Sequence, residues 1–227
     1  AVACGAAGIV IGAITLTGIG LSLSSIILSI SGGNTLLALL LVMFSSILMG
    51  MGTPTTVAYV IVACLGVPVM KQLGFPPLPS HLFVFYFAVL SMITPPVALA
   101  AYAAAEIAED DPMKIGFTAV RIGLVAFIVP FVFIFAPTLL MEGPWWSIIL
   151  HFLSLLGGIS ALAGATSGWF LRHLNLGGRV LLAVAFFLTV IPKSLTIFLG
   201  ICLIGIVLLL LVFPWRKEPP RGYTLRR

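Results

Sequence analysis

The chain has 227 residues, of which 61% are hydrophobic and 7% are charged. A soluble domain carries about 25% charged residues, so this composition excludes a soluble globular protein and predicts an all-α polytopic membrane protein in a lipid bilayer. The net charge of +5 does not indicate nucleic acid as a partner, because the basic residues stand at the ends of apolar segments and five of the eleven follow Phe213.

The first apolar segment covers residues 1–30 and predicts one crossing helix. It is rich in small residues, which let helix backbones approach closely inside a bundle; its glycines are Gly5, Gly8, Gly12, Gly18 and Gly20. Because the sequence begins inside an apolar run, without a methionine or a basic leader, we expect it to be the C-terminal part of a longer chain.

The next segment, residues 34–71, is interrupted near its middle by glycine and proline. The run from Thr35 to Met49 spans about 22 Å as a helix, which is shorter than the hydrocarbon core of about 30 Å. The run from Pro54 to Met70 then leads back. The charge distribution fits a re-entrant hairpin and a pair of full spans equally well, but the short arm and the glycines at the tip favour the hairpin.

A broken helix is predicted at residues 81–108, because Thr94-Pro95-Pro96 interrupts an apolar run there. Acidic residues follow it and mark the emergence into water. The remaining predictions, in chain order, are a helix at residues 114–140, a three-helix membrane extension at 145–213 and a basic tail at 214–227. Placing that tail in the cytoplasm puts nine of the eleven basic residues on the cytoplasmic side, with only Lys71 and Lys193 outside.

The two interruptions suggest a binding site, because broken backbone at membrane depth persists only where it is buried in protein or lines a cavity. In each interruption a threonine precedes a proline, which is the order of an N-cap and a first helical residue. We therefore expect Thr53 to cap a helix that begins at Pro54, and Thr94 to cap one that begins at Pro95. Such helix starts favour an anionic carboxylate.

The residues before each interruption are expected to present free carbonyl oxygens, from about 46 to 52 and from 90 to 93. Together with threonine hydroxyls, these are hard oxygen donors that suit Na⁺. The candidate sodium ligands, mainly through backbone carbonyls, are Gly50, Gly52, Thr53, Thr94 and Pro96. The candidate substrate-binding residues are Thr53, Pro54, Thr55, Thr94 and Pro95.

Ionisable side chains are scarce between residues 1 and 105, where only Lys71 and His81 are notable and no carboxylate occurs. Intramembrane acids usually mark proton pathways, so this scarcity favours coupling to sodium over coupling to protons. A single threonine-proline step is more often a simple kink than a site. Two such steps about 40 residues apart favour a site.

Three runs resemble one known family: AAGIVIGAITLTGIG (6–20), GMGTPTTVAYVIVACLGVP (50–68) and SHLFVFYFAVLSMITPPVALAAYAAAEIAEDDPMKIGFTAVRIG (80–123). They resemble the large membrane subunit of tripartite ATP-independent periplasmic (TRAP) transporters, most closely the fused-permease type. The resemblance covers about residues 6–141, and the last three spans are similar to the C-terminal extension of many fused permeases.

The resemblance implies an elevator-type transporter of the ion transporter superfamily in the bacterial inner membrane. Residues 1–141 would be the second inverted repeat of the transport unit. The implied partners are an organic-acid substrate, a periplasmic solute-binding protein that delivers it, and either the N-terminal remainder of the permease or a small membrane subunit. Na⁺ would be the coupling ion, bound where the hairpin tip meets the broken helix.

Two other functions compete with this sodium-coupled importer. One is an ion-coupled anion transporter of the same superfamily that needs no binding protein. The other is a non-transporting membrane scaffold, in which the interruptions are kinks. An intramembrane enzyme is not expected, because no nucleophile and base pair and no HExxH motif lies within a span.

Overall fold

The computed structural model describes residues 2–170, 172–191 and 194–212. These residues are almost entirely helical, which confirms the predicted fold class. In chain order the elements are α1 (Val2–Thr17), α2 (Ile19–Ser31), α3 (Thr35–Gly50), α4 (Thr55–Gln72), α5 (Pro77–Leu90), α6 (Leu99–Ala108), α7 (Pro112–Ile122), α8 (Leu124–Phe135), a 3-10 turn (Pro137–Leu140), α9 (Trp145–Ser167), β1 (Trp169–Phe170), β2 (Arg172–His173), α10 (Leu176–Val190) and α11 (Ser194–Val212). The chain forms two compact units, which divide after Ile148.

The first segment is not the single helix that we predicted for residues 1–30. Gly18 adopts a left-handed conformation, with φ of 66°, and separates α1 from α2. The expected close packing of small residues is present at Gly20, where an added Cβ would lie 2.9 Å from the backbone oxygen of Cys64 on α4. This glycine therefore lets α2 approach the backbone of α4.

Helices α3 and α4 form a helical hairpin. The side chain of Asn34 caps α3 by accepting a hydrogen bond of 3.2 Å from the N–H of Leu37. Further along the hairpin, Gly66 packs against Val42, whose Cγ1 would lie 3.3 Å from an added Cβ. Positions 42 and 66 are equally distant in sequence from residue 54, as expected for antiparallel arms that turn at the tip.

The predicted broken helix is interrupted as expected, between α5 and α6. The predicted helix at 114–140, in contrast, is two helices that meet at Gly123 with a bend of 45°. Pro130 lies inside α8 and is buried there, so the bend does not occur at a proline. The bend instead lies beside the neighbouring break, since an added Cβ at Gly123 would be 3.4 Å from Ile93 Cδ1.

The main core of the first unit joins buried residues of α2, α3, α4, α5 and α8. Phe83 and Phe87 on α5 are fully buried and pack edge-to-face, with ring centroids 4.9 Å apart. Phe131 on α8 packs edge-to-face against both rings. Edge-to-face pairs each add about 0.5–1.5 kcal/mol beyond area burial, so this cluster holds α8 alongside the first half of the broken helix.

A short polar connection links α6 to α7, the first helix of the bent pair. Asp111 caps α7 by accepting a hydrogen bond of 3.0 Å from the N–H of Lys114. The Lys114 ammonium also lies 2.9 Å from an Asp110 carboxylate oxygen. This hydrogen bond lowers the pKa of the Asp110 carboxyl. Both groups are exposed, so the pair contributes little to stability.

Two helices in the described part of the chain are long and apolar enough to cross a membrane singly, Thr55–Gln72 and Trp145–Ser167. The bent pair α7 and α8 would be a third span if both helices cross together. Helices α2, α3, α5, α6 and α10 are also apolar but have only 10–17 residues. Of the two arms of the hairpin, α4 has 18 residues and is long enough to cross, whereas α3 has 16 and is shorter.

The second unit begins at Ile149 and contains α10, α11 and nearly all of α9. Thr189 on α10 is packed between Gly158 on α9 and Gly200 on α11. The Arg179 side chain donates hydrogen bonds to the carbonyls of Ala165 (2.8 Å) and Thr166 (3.2 Å), so it caps the end of α9. The predicted basic tail at 214–227 lies outside the described residues.

Candidate ion and substrate site

The tip of the hairpin is a tight turn between α3 and α4. Gly52 has φ of 74°, a left-handed conformation that favours glycine. The backbone N–H and the hydroxyl of Thr53 both donate to the carbonyl of Gly50, at 3.4 and 3.0 Å. The threonine therefore closes the turn on the preceding helix.

The predicted cap at Thr53 is wrong. Helix α4 begins at Thr55, and Pro54 occupies the N-cap position without a side-chain hydrogen bond. Helix geometry leaves the first backbone N–H groups of α4 without partners inside the helix, and these belong to residues 55–57. The start of α4 can therefore donate to an anion, but through residues that follow the predicted cap.

The predicted cap at Thr94 is wrong for the same reason. Its hydroxyl donates to the carbonyl of Leu90 at 2.7 Å, one turn earlier, and α6 begins only at Leu99. The segment between the helices contains a cis peptide bond between Pro95 and Pro96. Proline lacks a backbone N–H, so this segment offers carbonyl oxygens rather than donors at both positions.

The carbonyls before the second break are less free than the sequence suggested. Leu90 accepts from the N–H of Ile93 at 3.1 Å as well as from Thr94, and Ser91 accepts from the N–H of Thr94 at 3.3 Å. The carbonyl of Met92 accepts from the N–H of Ala100 at 3.0 Å, across the break. A carbonyl has two lone pairs, so a Ser91 or Met92 oxygen with one hydrogen bond can still coordinate a cation.

The two interruptions meet. Gly50 faces Ser91 so closely that an added Cβ would lie 2.7 Å from Ser91 Oγ, and Gly52 faces Val97 with a corresponding distance of 3.5 Å. The hydroxyl of Thr55 lies 3.1 Å from Met92 Sδ and donates to it. The end of α3 and the start of α4 are thus both in contact with the break between α5 and α6.

Of the predicted site residues, Gly50, Gly52 and Thr55 contact the second break directly. Thr53 and Thr94 each bond within their own interruption. Pro95 packs against Gly116 of α7, where an added Cβ would lie 2.9 Å from its Cγ, and the carbonyl of Pro96 accepts from the Tyr102 hydroxyl at 3.4 Å.

Sequence reasoning missed Tyr102, Gly116 and Gly123, and it included Ser91 and Met92 only as carbonyl donors within residues 90–93. Gly116 and Gly123 did carry a signal, because a spacing of seven residues is about two helical turns and places them on one face. The side chains of Ser91 and Met92 carried no signal, since their contacts are made with the hairpin tip that packs on them.

The hairpin is also linked to the first half of the broken helix away from the tip. The Tyr59 hydroxyl and His81 Nδ1 are 3.0 Å apart, and both side chains are partly buried. The rings of Tyr59 and Phe85 pack edge-to-face at 5.5 Å. These contacts join α4 to α5.

The chemistry of this region is that of backbone and hydroxyl oxygens. Within the described ranges, no three His, Cys, Asp or Glu side chains come together to hold a metal ion. The donors at the tip and the break are neutral and hard, and they suit an alkali cation better than a transition metal.

A hydrophobic helical chain in which a hairpin tip meets a broken helix defines a multi-pass membrane protein with the architecture of secondary transporters, whose sites lie at discontinuous helices. Residues 1–143 match the family model described as the tripartite ATP-independent periplasmic transporter, DctM component, and the chain belongs to this family. No curated protein and no solved structure matches the chain.

Family membership confirms the resemblance that the three sequence runs suggested, and the matched residues coincide closely with the first unit. The protein therefore has the role of a TRAP transporter permease, and its family is one of transporters rather than of enzymes. The family also implies a solute-binding protein and a small membrane subunit as partners, and a multi-pass position in the inner membrane.

Proposed function

We propose that this chain is part of a sodium-coupled permease that imports organic acids delivered by a periplasmic solute-binding protein. The observation that carries the proposal is the contact between the two interruptions, in which Gly50 faces Ser91 and Thr55 donates to Met92. Broken backbone that meets inside a membrane protein is the arrangement that binds substrate and ion in secondary transporters.

The proposed sodium ligands are oxygens of Gly50, Gly52, Thr53, Thr94 and Pro96. The hydroxyl protons of Thr53 and Thr94 are directed at the carbonyls of Gly50 and Leu90. A hydroxyl oxygen that donates its proton keeps its lone pairs, so both threonines can still accept a cation. The absence of a carboxylate between residues 1 and 105 favours sodium over protons as the coupling ion.

The proposed substrate site lies at the start of α4, where Thr53, Pro54 and Thr55 meet the segment with Thr94 and Pro95. Unpaired N–H groups and the helix dipole give this helix start about half a positive charge. A substrate carboxylate would be held there while Na⁺ is held by the neighbouring carbonyls. The opposite charges of ion and substrate would stabilise each other, which couples their binding.

The remaining parts of the proposal concern movement and orientation. Residues 1–141 would be the second inverted repeat of an elevator-type transport unit of the ion transporter superfamily. The hairpin would enter from the periplasmic side, and the C-terminus would be cytoplasmic, as the positive-inside rule favours.

The test is uptake by the intact permease, reconstituted in proteoliposomes with its small subunit and binding protein, over a panel of labelled organic acids. Thr53→Val and Thr94→Val should each reduce sodium-driven uptake by about tenfold or more, because each removes a ligand oxygen. Thr53→Ser and Thr94→Ser should retain it. Thr118→Val is the matched control, since Thr118 makes the same hydroxyl bond to a carbonyl one turn earlier, at 2.8 Å from Lys114.

Three results would overturn parts of the proposal. Uptake that is independent of a sodium gradient would exclude sodium coupling. Uptake that needs no binding protein would favour the simpler anion transporter. No uptake of any acid, with the protein correctly inserted, would favour the scaffold.

A further inference from the structure

The bent pair α7 and α8 follows the broken helix along its length. Gly116 on α7 packs against both Pro95 and Ala101, so α7 lies beside the second half of the broken helix. Phe131 on α8 packs against Phe83 and Phe87, so α8 lies beside the first half. The bend between α7 and α8 therefore lies next to the break between α5 and α6, so the two pairs of helices change direction at the same level.

The contact at Gly116 is the closest of these. Gly116 is the buried residue of α7, and an added Cβ would lie 2.9 Å from Pro95 Cγ, 3.5 Å from Pro95 Cδ and 3.6 Å from Ala101 Cβ. Carbon atoms pack best at about 3.5–4.0 Å. The proline ring is fixed to its own backbone and cannot rotate away. A methyl group at position 116 would therefore push the backbone of Pro95 as well as its ring.

The contact at Gly123 is similar but softer. An added Cβ there would lie 3.1 Å from the carbonyl oxygen of Ala119 in the preceding turn of the same helix pair, and 3.4 Å from Ile93 Cδ1. Towards the break it therefore meets only the end of a flexible side chain. Ile93 can change rotamer, so the backbone of the break need not move as far. Both glycines thus lie on the face of the bent helix pair that packs against the break, and a methyl group at Gly116 would displace the backbone of the break more than one at Gly123.

We infer that Gly116, supported by Gly123, is a positioning residue for the sodium site: it sets where the backbone of Thr94, Pro95 and Pro96 lies. This inference rests on the proposed function, because it assigns these glycines to the ion site at that break. Neither glycine is among the proposed sodium ligands. Each acts through the break, whose carbonyl and hydroxyl oxygens must keep their spacing to coordinate a small cation.

The experiment measures the sodium concentration for half-maximal uptake, in the same reconstituted permease, for Gly116→Ala and Gly123→Ala. Displaced supporting groups around a metal typically weaken affinity by 10–100-fold. We expect about a tenfold rise for Gly116→Ala and a smaller rise for Gly123→Ala. Gly12→Ala is the control, because Gly12 lies in helix α1 with no atom within 4 Å of an added Cβ, and it should leave the value unchanged.

A merely structural role gives a different result. It would lower the amount of folded protein and the maximal rate at an unchanged half-maximal sodium concentration, and this outcome would overturn the inference. Should Gly116→Ala fail to fold, Gly123→Ala and the double variant with Ile93→Val decide the question. Ile93→Val removes the Cδ1 atom through which the new methyl meets the break, while the contact with the Ala119 carbonyl stays. The double variant should therefore need less sodium for half-maximal uptake than Gly123→Ala alone; an unchanged value would also overturn the inference.

Failure of the inference is distinguishable from failure of the proposed function. If the unmodified permease shows no sodium dependence, the proposed coupling is wrong. If it shows sodium dependence that Gly116→Ala leaves unchanged, the coupling stands and the role of the glycines is wrong.

Discussion

Ser46 differs from Ser24, another buried serine of the first unit. Ser24 donates to the carbonyl of Gly20 at 2.8 Å, the usual bond of a serine within a helix. Ser46 is equally buried, but its hydroxyl has no hydrogen-bond partner among the described residues. It lines a cavity of about 10 Å³ whose other walls are mostly apolar, including Val42 and Val62. A buried hydroxyl without a partner costs about 1–3 kcal/mol.

We predict that Ser46→Ala leaves the stability of the protein unchanged or raises it, because it removes a group whose burial is not compensated. Ser24→Ala is the matched control and should lower stability by about 1 kcal/mol, since it removes a hydrogen bond. The measurement is the Tm of each purified variant. If Ser46→Ala were the more destabilising of the two, the hydroxyl would have a partner in the cavity.

At the scale of the helices, the hairpin tip packs against the break between α5 and α6. This contact depends on the absence of a side chain at Gly50. An added methyl would lie 2.7 Å from Ser91 Oγ and 3.3 Å from the carbonyl of Ala88. We predict that Gly50→Ala lowers stability by about 1–3 kcal/mol, the usual cost of overpacking. Thermal unfolding of the purified variant measures this loss.

A double-mutant cycle tests whether that loss comes from the contact with Ser91. Ser91→Ala removes the hydroxyl that the new methyl would meet, so Gly50→Ala should cost less in its presence. The coupling should reach about 0.5–3 kcal/mol, as is typical of residues in contact. Strictly additive losses would mean that the Ser91 hydroxyl is not the group that opposes the new methyl, since Ser91 Cβ and the Ala88 carbonyl remain in place.

Helix α11 offers an internal comparison in the second unit. An added Cβ at Gly200 would lie 2.6 Å from Thr189 Cγ2 and 2.9 Å from its backbone N, whereas one at Gly205 would meet nothing within 4 Å. We predict that Gly200→Ala lowers the Tm through overpacking. Gly205→Ala should raise it slightly, because alanine is the better helix former by about 1 kcal/mol. Equal effects would contradict the packing of α10 on α11.

The sequence was informative about elements where the signal is local. The interruptions at 50–54 and 94–96 were predicted because proline and glycine break helices wherever they stand. The break at Gly18 was missed because glycine permits a left-handed conformation without requiring it. The bend at Gly123 was missed because it depends on packing against the break in the neighbouring helix. The hydrogen bonds of Thr53 and Thr94 were missed because a threonine hydroxyl can either cap the helix that follows or donate to a carbonyl of the helix that precedes it.

For the whole molecule, the order of the helices and the positions of the charged residues favour one orientation of the chain in the membrane. Both arms of the hairpin end near Asn34 and Lys71, and α5 begins shortly after, so these ends share one side. The break at 91–98 lies between that side and the acidic turn at 109–111, which α6 reaches. From the positive-inside rule we expect the first side to be periplasmic and the acidic turn, with Lys114, to be cytoplasmic.

Single cysteines at Lys71 and Lys114 test this orientation. Both positions are exposed, and Cys4, Cys64 and Cys202 would first be replaced by serine or alanine. We predict that a membrane-impermeant maleimide labels Lys71→Cys in intact spheroplasts, and labels Lys114→Cys only after the membrane is opened. The reverse pattern would invert the orientation. Labelling of both positions from the same side would mean that an odd number of spans does not separate them, and the path from hairpin through break to acidic turn would then not cross the membrane.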